Sequence, residues 1–290
     1  MAPCFFVSDL HGNRARYQAL FSRIVQEVPA AVFMGGDLLP SGILAGAPFG
    51  FNHVDFVTEF LALNFATLRG RMGESYPRVF LILGNDDPRA AEVVVEEAGR
   101  NGLWEYVHKR KVGFAGFEVV GYACVPPTPF LLKDWERYDI SRYVDPGSVS
   151  PEEGYRTVPV SPREITFATI AKDLAALFGD GDLSNVLCLF HAPPYQTLLD
   201  RSALDGHMVD GVPVDVHIGS IAVRRFIEER QPYLTLHGHA HESARILGDW
   251  RDRLGRTWMF SAAHDGPHLA LVRFDLATPD NADRVLIPTA

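Results

Sequence analysis

A run of histidines near position 237 constrains this chain more than any other feature of its sequence. Residues 234–242 read Leu-Thr-Leu-His-Gly-His-Ala-His-Glu, so three histidines alternate with small residues directly after an apolar segment. The apolar segment predicts a buried strand, and the glycine allows a tight turn that directs neighbouring imidazoles to one point. Imidazole is the commonest metal ligand among side chains. The run alone also fits a chance surface cluster, so a metal site needs support from the rest of the chain.

Four other apolar segments supply that support, because each ends in side chains of the same chemical kind. The segments are 4–7, 31–34, 78–83 and 186–190. The polar residues that follow them are Asp9 with His11, Asp37, Asn85 and His191. Apolar residues at helical spacing separate the first two segments, which predicts alternating strands and helices and an α/β fold. Since such sheets place their chemistry at the carboxyl ends of strands, we expect these side chains to share one edge.

The size and charge of the chain limit the class of protein. Its 290 residues are 47% hydrophobic, which is enough for a sizeable core, and no linker or repeat divides them, so we expect one domain over 1–290. A formal net charge of −9 argues against binding to extended nucleic acid or to a membrane surface. The three cysteines have unrelated spacings, which indicates buried reduced thiols. With no leader-like or membrane-spanning segment, we expect a cytoplasmic location.

One segment, 125–162, departs from the alternating pattern. It contains seven prolines and several aromatic residues without periodicity. Long irregular segments in compact domains are often lids or binding loops, although an insertion without function is equally compatible with this composition. Ser161 and Glu164 then form a capping-box pattern, which predicts a helix that continues to Gly179. The shorter segment 40–52, rich in Gly and Pro, predicts a loop at the rim of the same edge.

The polar residues at the strand ends suit a pair of metal ions. They number seven, and they are Asp9, His11, Asp37, Asn85, His191, His239 and His241. Seven donors exceed what one ion with bound water needs, and they suit two divalent ions that share a carboxylate. Asp37, which follows two glycines, is the expected bridge. Mn, Fe, Zn and Ni all suit these donors, with Mn favoured. Two such ions activate a shared water for in-line attack, which indicates hydrolysis of a phosphate ester.

The order of these motifs resembles the calcineurin-like metallophosphoesterase superfamily. The motifs are Asp9-x-His11, Gly36-Asp37, Gly84-Asn85, His191 and Gly238-His239-x-His241. Within that superfamily, the motifs at 84–87 and 236–243 look like the branch of predicted phosphoesterases related to cyclic-nucleotide phosphodiesterases. The resemblance implies two packed mixed β-sheets flanked by helices, as a four-layer sandwich.

The resemblance also implies a division of the donors between two metals. One metal is expected between Asp9, His11, Asp37 and His241. The other is expected between Asp37, Asn85, His191 and His239. Asn85 would also orient substrate and so take part in catalysis. His237 matches no ligand of the superfamily.

The chain departs from the superfamily pattern at Asp86, where most members have a histidine that protonates the leaving group. A carboxylate beside two cations should have a depressed pKa and donate protons poorly at neutral pH. It should also repel a dianionic monoester more than a monoanionic diester. We therefore expect Asp86 to have a catalytic influence that favours diesters, anhydrides or esters with good leaving groups.

Three further residues are candidates for substrate binding, each with a plainer alternative. Arg14 follows the first motif and is a candidate phosphate clamp, although solvated arginine is commoner. His217 lies in an irregular stretch and could supply the missing acid, but ordinary loop histidines are commoner. His237 is a candidate by position alone, and a structural role fits it better.

The expected function is metal-dependent hydrolysis of a small phosphodiester or nucleotide by metal-activated hydroxide. Alternatives are a phosphomonoesterase or pyrophosphatase of the same fold, and a scaffold protein that binds metal with little catalysis. A metallo-β-lactamase-type hydrolase is excluded, because its His-x-His-x-Asp-His run does not match residues 237–242.

Overall fold

The computed structural model describes residues 3–41 and 53–289. Strands occupy β1 Cys4–Val7, β2 Ala31–Gly35, β3 Arg78–Ile82, β4 Glu105–Tyr106, β5 Lys111–Phe114, β6 Phe117–Tyr122, β7 Val186–Phe190, β8 Met208–Val209, β9 Val212–Pro213, β10 Leu234–His237, β11 Arg251–Leu254, β12 Thr257–Ser261, β13 Leu269–Phe274 and β14 Asp283–Ile287. Helices occupy α1 Arg14–Glu27, α2 His53–Asp55, α3 Leu63–Met72, α4 Glu92–Arg100, α5 Pro162–Phe167, α6 Ile170–Phe178, α7 Ile221–Arg230 and α8 Ser243–Leu247. A π-helical segment, Phe56–Ala62, joins α2 to α3. In the described part of the chain, no helix has the length and apolar character to cross a bilayer.

Two six-stranded mixed sheets contain most of the strands. The first has the order β14-β13-β1-β2-β3-β4, and the second has the order β11-β12-β10-β7-β6-β5. In the first sheet β1 to β4 are parallel, and in the second β6, β7, β10 and β12 are parallel. Antiparallel strands complete the edges of both sheets. The parallel centres therefore point several carboxyl ends of strands in one direction within each sheet.

The two sheets pack face to face through aromatic side chains. The ring centroids of Phe33 on β2 and Phe80 on β3 are 6.3 and 5.4 Å from the ring centroid of Phe114 on β5. On the other side of the interface, the rings of Phe260 and Phe274 are 5.9 Å apart. These residues are buried, and rings at such separations in tilted and edge-on arrangements are typical of close-packed cores.

Helices cover the outer faces of both sheets. Tyr17 and Phe21 of α1 contact Phe60 and Phe65 of the long helical region 53–72, with ring separations of 5.6 and 5.1 Å. On the second sheet Phe226 of α7 packs between Phe178 and Phe190. The result is the α/β architecture of two packed mixed sheets between helices, so the expected fold class is confirmed.

The segment 125–162 is fastened to this framework by buried polar contacts. Trp135 is buried, and its indole Nε1 donates to the backbone oxygen of Asp87 at 2.8 Å. Lys133 and Glu136 form a fully buried ion pair at 2.5 Å. Asp139 accepts hydrogen bonds from the backbone nitrogens of Ile221 and Ala222, at the start of α7. These contacts position the segment beside the end of β3 and the start of α7.

Several elements differ from the sequence expectation. The helix expected from Ser161 to Gly179 is two helices, because Ala168 is extended and the Thr169 hydroxyl caps a second helix by accepting from Lys172 N. Ser161 does cap the first, as predicted. The sequence pattern does not predict the edge strands β11 and β14, since half-exposed edge strands carry weak apolar patterns. Most of the loop expected at 40–52 lies outside the described residues.

The carboxyl end of α1 generates a stability prediction. Val28 caps this helix in the left-handed region, with φ 46°, and its side chain is 42% exposed. This conformation costs an L-residue about 1–2 kcal/mol, whereas glycine adopts it freely. Val28→Gly should therefore raise the free energy of unfolding by about 0.5–1 kcal/mol, measured by urea denaturation. Gln18→Gly, in the exposed middle of α1, should lower it by about 1 kcal/mol. Equal losses in the two variants would contradict the prediction.

Candidate metal centre

The ends of five parallel strands meet at one point between the sheets. In the first sheet β1, β2 and β3 are neighbours, and they are followed by Asp9 with His11, by Asp37 and by Asn85. In the second sheet β7 and β10 are neighbours, and they are followed by His191 and by His239 with His241. The chain thus brings together side chains from all five motifs identified in the sequence.

The backbone at these ends is unusual. Asp9, His11, Asp37 and His239 have φ values of 56, 46, 52 and 69°, which lie in the left-handed region. Non-glycine residues seldom adopt this conformation, and when they do it is often where a functional site requires it. All four residues lie in the turns that follow β1, β2 and β10.

The first group of donor atoms contains Asp9, His11, Asp37 and His241. One potential ligand atom from each lies within 4.8 Å of the others. His241 Nε2 is 3.1 Å from Asp9 Oδ1 and 3.2 Å from His11 Nε2. Asp37 Oδ2 is 4.0 Å from His11 Nε2. The backbone nitrogen of His239 donates to Asp9 Oδ1 at 3.0 Å, which holds that carboxylate in place.

The second group contains Asp37, Asn85, His191 and His239. Asn85 Oδ1 is 3.0 Å from His191 Nε2 and 2.7 Å from His239 Nδ1. His191 Nε2 is also 3.3 Å from Asp37 Oδ2. The other ring nitrogen of His191 donates to Gly35 O at 2.8 Å, so Nε2 is the atom that faces the group. Asp37 Oδ2 therefore lies between the two groups.

The close approach of the motifs explains the glycine before Asn85. A Cβ atom at Gly84 would lie 2.3 Å from Asp37 Oδ1, 2.4 Å from Asp37 N and 2.7 Å from the ring of His191. Any side chain there would collide with the backbone as well as with both ligands. Gly84 is thus required for the two strand ends to share one carboxylate.

The charges in the site are strongly coupled. Burial acts against ionisation of Asp9 and Asp37, but the histidines beside them hold the pKa of each carboxyl below its usual range. Burial likewise opposes charge on His191 and His241, yet Asp37 and Asp9 raise the pKa of these imidazoles. Burial and the nearby His191 lower the pKa of His239. Buried carboxylates need positive charge beside them, and protonated imidazoles or bound cations can supply it.

The donor atoms fit two divalent cations. Tetrahedral bonds of about 2.0–2.1 Å place ligand atoms about 3.3 Å apart. The nearest donor pairs in the two groups are separated by 2.7 to 4.0 Å, which brackets this value. Both groups mix imidazole nitrogens with carboxylate or amide oxygens, a set that suits Mn, Fe, Zn or Ni. The residues present therefore match the requirements of a two-metal site with Asp37 shared.

Asp86 lies beside this site, where it contacts a predicted ligand. Its carboxylate oxygen is 3.4 Å from His11 Nδ1, and its backbone nitrogen donates to Asp37 Oδ1 at 2.8 Å. Ligand histidines commonly direct their second nitrogen towards a carboxylate, which orients the ring. In the protein without bound cations, burial and the Asp37 carboxylate raise the pKa of Asp86. The depressed pKa expected from the sequence requires bound cations to outweigh both effects.

Asp87 has a structural role that the sequence pattern does not reveal. Its buried carboxylate accepts from the backbone nitrogens of Leu38, Leu39 and Gly84 at 3.0, 2.7 and 2.9 Å. It therefore joins the loop after β2 to the loop after β3 and fixes the positions of the ligands that these loops carry. Burial and the Asp37 charge raise the pKa of Asp87 to about 8. The adjacent Asp-Asp pair gave no sign of this distinction, because both residues follow the same strand.

The three candidate substrate residues occupy different environments. Arg14 is exposed and lies over the ring of Phe60 at 5.0 Å, not on the wall of the cavity described below. His237 is fully buried, its Nδ1 donates to Ala192 O, and its Nε2 contacts Thr235 Oγ1, so direct substrate contact is excluded and its role is structural. His217 lines the cavity, and its Nδ1 is 3.0 Å from the buried carboxylate of Asp200.

A cavity of about 580 Å³ opens over the donor groups. His11, Asp37, Asn85, His239 and His241 form one end of it. Much of the remaining wall comes from residues 126–148 within the segment 125–162 and from residues 195–221. A small organic phosphate placed in this cavity would contact both the donor groups and the irregular segments.

Comparison with known proteins identifies the class of protein that this fold and site define. The model of the calcineurin-like phosphoesterase family matches residues 2–243. Because the match spans most of the chain, the protein belongs to that family, whose members are metal-dependent phosphoester hydrolases. A stretch of 78 residues is also 35% identical to an uncharacterized protein of Methanocaldococcus jannaschii, but that alignment covers only 26% of this chain and 30% of the relative.

Two solved structures have the same fold over their whole length. One is 15% identical and superposes with a TM-score of 0.61, covering 99% of both chains. The other, TT1561 of Thermus thermophilus, is 16% identical and has a TM-score of 0.55, again covering 99% of both chains. At these identities the similarity concerns the fold alone.

The shared position of Asp37 predicts the effect of its replacement. Asp37→Asn should reduce bound Mn²⁺ from two ions per chain to at most one, with affinity weakened by at least about 100-fold, because a neutral amide replaces the carboxylate between the groups. Equilibrium dialysis followed by metal analysis measures both quantities. Asp145→Asn, on the cavity wall away from the donors, is the control and should retain two ions. Two tightly bound ions in Asp37→Asn would show that this carboxylate is not shared.

Proposed function

We propose that this protein is a two-metal phosphodiesterase that hydrolyses a small monoanionic phosphodiester. The observation that carries the proposal is the position of Asp37 Oδ2, 4.0 Å from His11 Nε2 in one donor group and 3.3 Å from His191 Nε2 in the other. A carboxylate between two donor groups is the arrangement that a pair of ions requires. Membership of the phosphoesterase family supports the same chemistry.

The residues around the site would have separate roles in binding metal and in binding substrate. When bound, two divalent cations, with Mn²⁺ favoured, supply a water of lowered pKa and neutralise charge on the phosphoryl oxygens. Asp9 and Asp37 provide the negative charge that retains the ions, and their buried hydrogen bonds keep them in place before substrate arrives. Asn85 places its amide at the cavity floor, where its NH2 group can donate to a phosphoryl oxygen while Oδ1 faces the histidines. This preorganisation favours in-line attack on phosphorus.

Asp86 supports the choice of a diester over a monoester. Its carboxylate lines the cavity within 3.4 Å of His11, so it lies at the site where the substrate phosphate would bind. A second negative charge on a monoester would be repelled more strongly than the single charge of a diester. A carboxylate that bound cations keep ionised also gives no proton to an alkoxide, so good leaving groups are favoured.

The size of the cavity and the charge of the protein indicate what kind of molecule binds. A cavity of about 580 Å³ suits a small molecule, and the net charge of −9 does not favour extended nucleic acid or an anionic membrane. A phosphomonoesterase or pyrophosphatase would need to compensate for the repulsion between the negative charge of Asp86 and its more highly charged substrate. A metal-binding scaffold would use the same donor set, so turnover is what distinguishes it from an enzyme.

The preference for diesters can be tested with purified, manganese-loaded protein. We expect kcat/KM for bis(4-nitrophenyl) phosphate to exceed that for an alkyl phosphate monoester by at least about 100-fold, since the monoester brings both extra charge and a poor leaving group. Release of 4-nitrophenolate and of inorganic phosphate gives the two rates. Faster turnover of the monoester would refute the preference. Two bound metals without turnover of any phosphoester would favour the scaffold.

A single substitution separates the influence of Asp86 from that of the rest of the site. Asp86→His should raise kcat/KM for the monoester by at least about 10-fold, because it removes a negative charge and introduces a proton donor. Asp86→Asn removes the charge alone and should recover only part of that gain. Metal content is the check on both variants, and unchanged monoester rates with two bound ions would show that Asp86 does not set the preference.

A further inference from the structure

The wall of the cavity has an unusual charge composition for a site that accepts phosphate. None of the described residues that line it is lysine or arginine. The undescribed stretch 42–52 contains neither residue in its sequence. Phosphate groups bound away from metal ions are usually held by such cations or by helix amino termini. The amino terminus of α7, where Ile221 lines the wall, already donates to Asp139.

Carboxylates occupy the wall instead. Asp145 and Asp215 line the part of the cavity formed by the irregular segments, and burial, together with the charge of Asp215, raises the pKa of Asp145. Asp215 is held in place by Tyr195 Oη, which donates to Oδ2 at 2.6 Å, and by His217 N, which donates to Oδ1 at 2.9 Å. Both carboxylates thus line the cavity beside the space that a substrate would fill.

The remaining wall of the cavity is largely apolar. Phe130, Tyr143 and Met208 line the cavity and are 43, 68 and 56% exposed, so large apolar surfaces are available to a ligand. Exposed apolar surface concentrated in a concave site usually marks ligand binding. His207 and His217 also line this region.

From this composition we infer that the cavity selects phosphodiesters whose second arm is rich in carbon and bears no negative charge. The inference rests on the proposed phosphodiesterase function and narrows its substrate class. The scissile phosphate is the one anionic group that the donor groups can neutralise. A second phosphate or a carboxylate on the arm would face Asp145 and Asp215 without a cation. Nucleotides with additional phosphates and other polyanionic esters are therefore excluded.

A matched series of substrates tests the inference. Three 4-nitrophenyl phosphodiesters share the leaving group and differ only in the arm, which is n-hexyl, 6-ammoniohexyl or 5-carboxypentyl. All three esters are assayed at the same pH and metal concentration. We expect kcat/KM for the carboxypentyl ester to be at least 10-fold below that for the hexyl ester. The ammonium arm should be cleaved at least as well as the hexyl arm. Equal turnover of the hexyl and carboxypentyl esters would overturn the inference and leave the phosphodiesterase function intact.

Variants assign the selectivity to the two carboxylates. In the double variant Asp145→Asn, Asp215→Asn, the ratio of kcat/KM for the hexyl ester to kcat/KM for the carboxypentyl ester should fall by at least 5-fold. The control is Asp180→Asn, because Asp180 is exposed and lies outside the cavity. It should leave the ratio unchanged. An unchanged ratio in the double variant, with normal metal content, would contradict the assignment.

Binding gives a readout that does not depend on turnover. Hexyl(methyl)phosphinate and carboxypentyl(methyl)phosphinate are anionic mimics whose phosphorus–carbon bonds resist hydrolysis. Titration calorimetry should show at least 10-fold tighter binding of the hexyl compound. If none of the esters is cleaved, the proposed function fails, and this comparison still decides the inference: tighter binding of the hexyl compound supports it, and equal affinities overturn it.

Discussion

The carboxylate of Asp37 is the interaction on which the rest of the site depends. Its Oδ1 accepts from the backbone of Asp86, and its Oδ2 faces histidines that belong to different sheets. This position exists only because β2 ends in a left-handed turn and Gly84 allows the next strand end to approach within contact distance. A shift of either strand end by one residue would direct these side chains to the opposite face. The parallel centres of both sheets are therefore necessary for the metal site.

The fold surrounds these charges with fixed hydrogen bonds. Asp87 joins the loops after β2 and β3 through three backbone nitrogens, and its own carbonyl accepts from Trp135. Because Trp135 belongs to the segment 125–162, the wall of the cavity is anchored to the loops that carry the ligands. The buried Lys133–Glu136 pair and the contact of Asp139 with α7 fix the rest of the segment. The cavity and the donor groups are thus positioned by one connected set of contacts.

Much of this arrangement could be predicted from the sequence, and the remainder required coordinates for physical reasons. Strand ends followed by Asp, Asn and His are visible because buried strands are continuous apolar runs and their polar ends are abrupt. His237 was ambiguous, since its burial against Ala192 and Thr235 depends on tertiary packing. Asp87 looked equivalent to Asp86 although only one of them faces the cavity. The interruption between α5 and α6 could not be predicted from the sequence either, because the Thr169 hydroxyl caps α6 only where Ala168 is extended.

The most direct test of the central claim is the position of metal in crystals grown with manganese. Anomalous diffraction at the manganese edge should show two peaks about 3.5–4 Å apart, one on each side of Asp37 Oδ2. The first peak should lie among Asp9, His11 and His241, and the second among Asn85, His191 and His239. A single peak, or two peaks that do not share Asp37, would contradict the account of a two-metal centre.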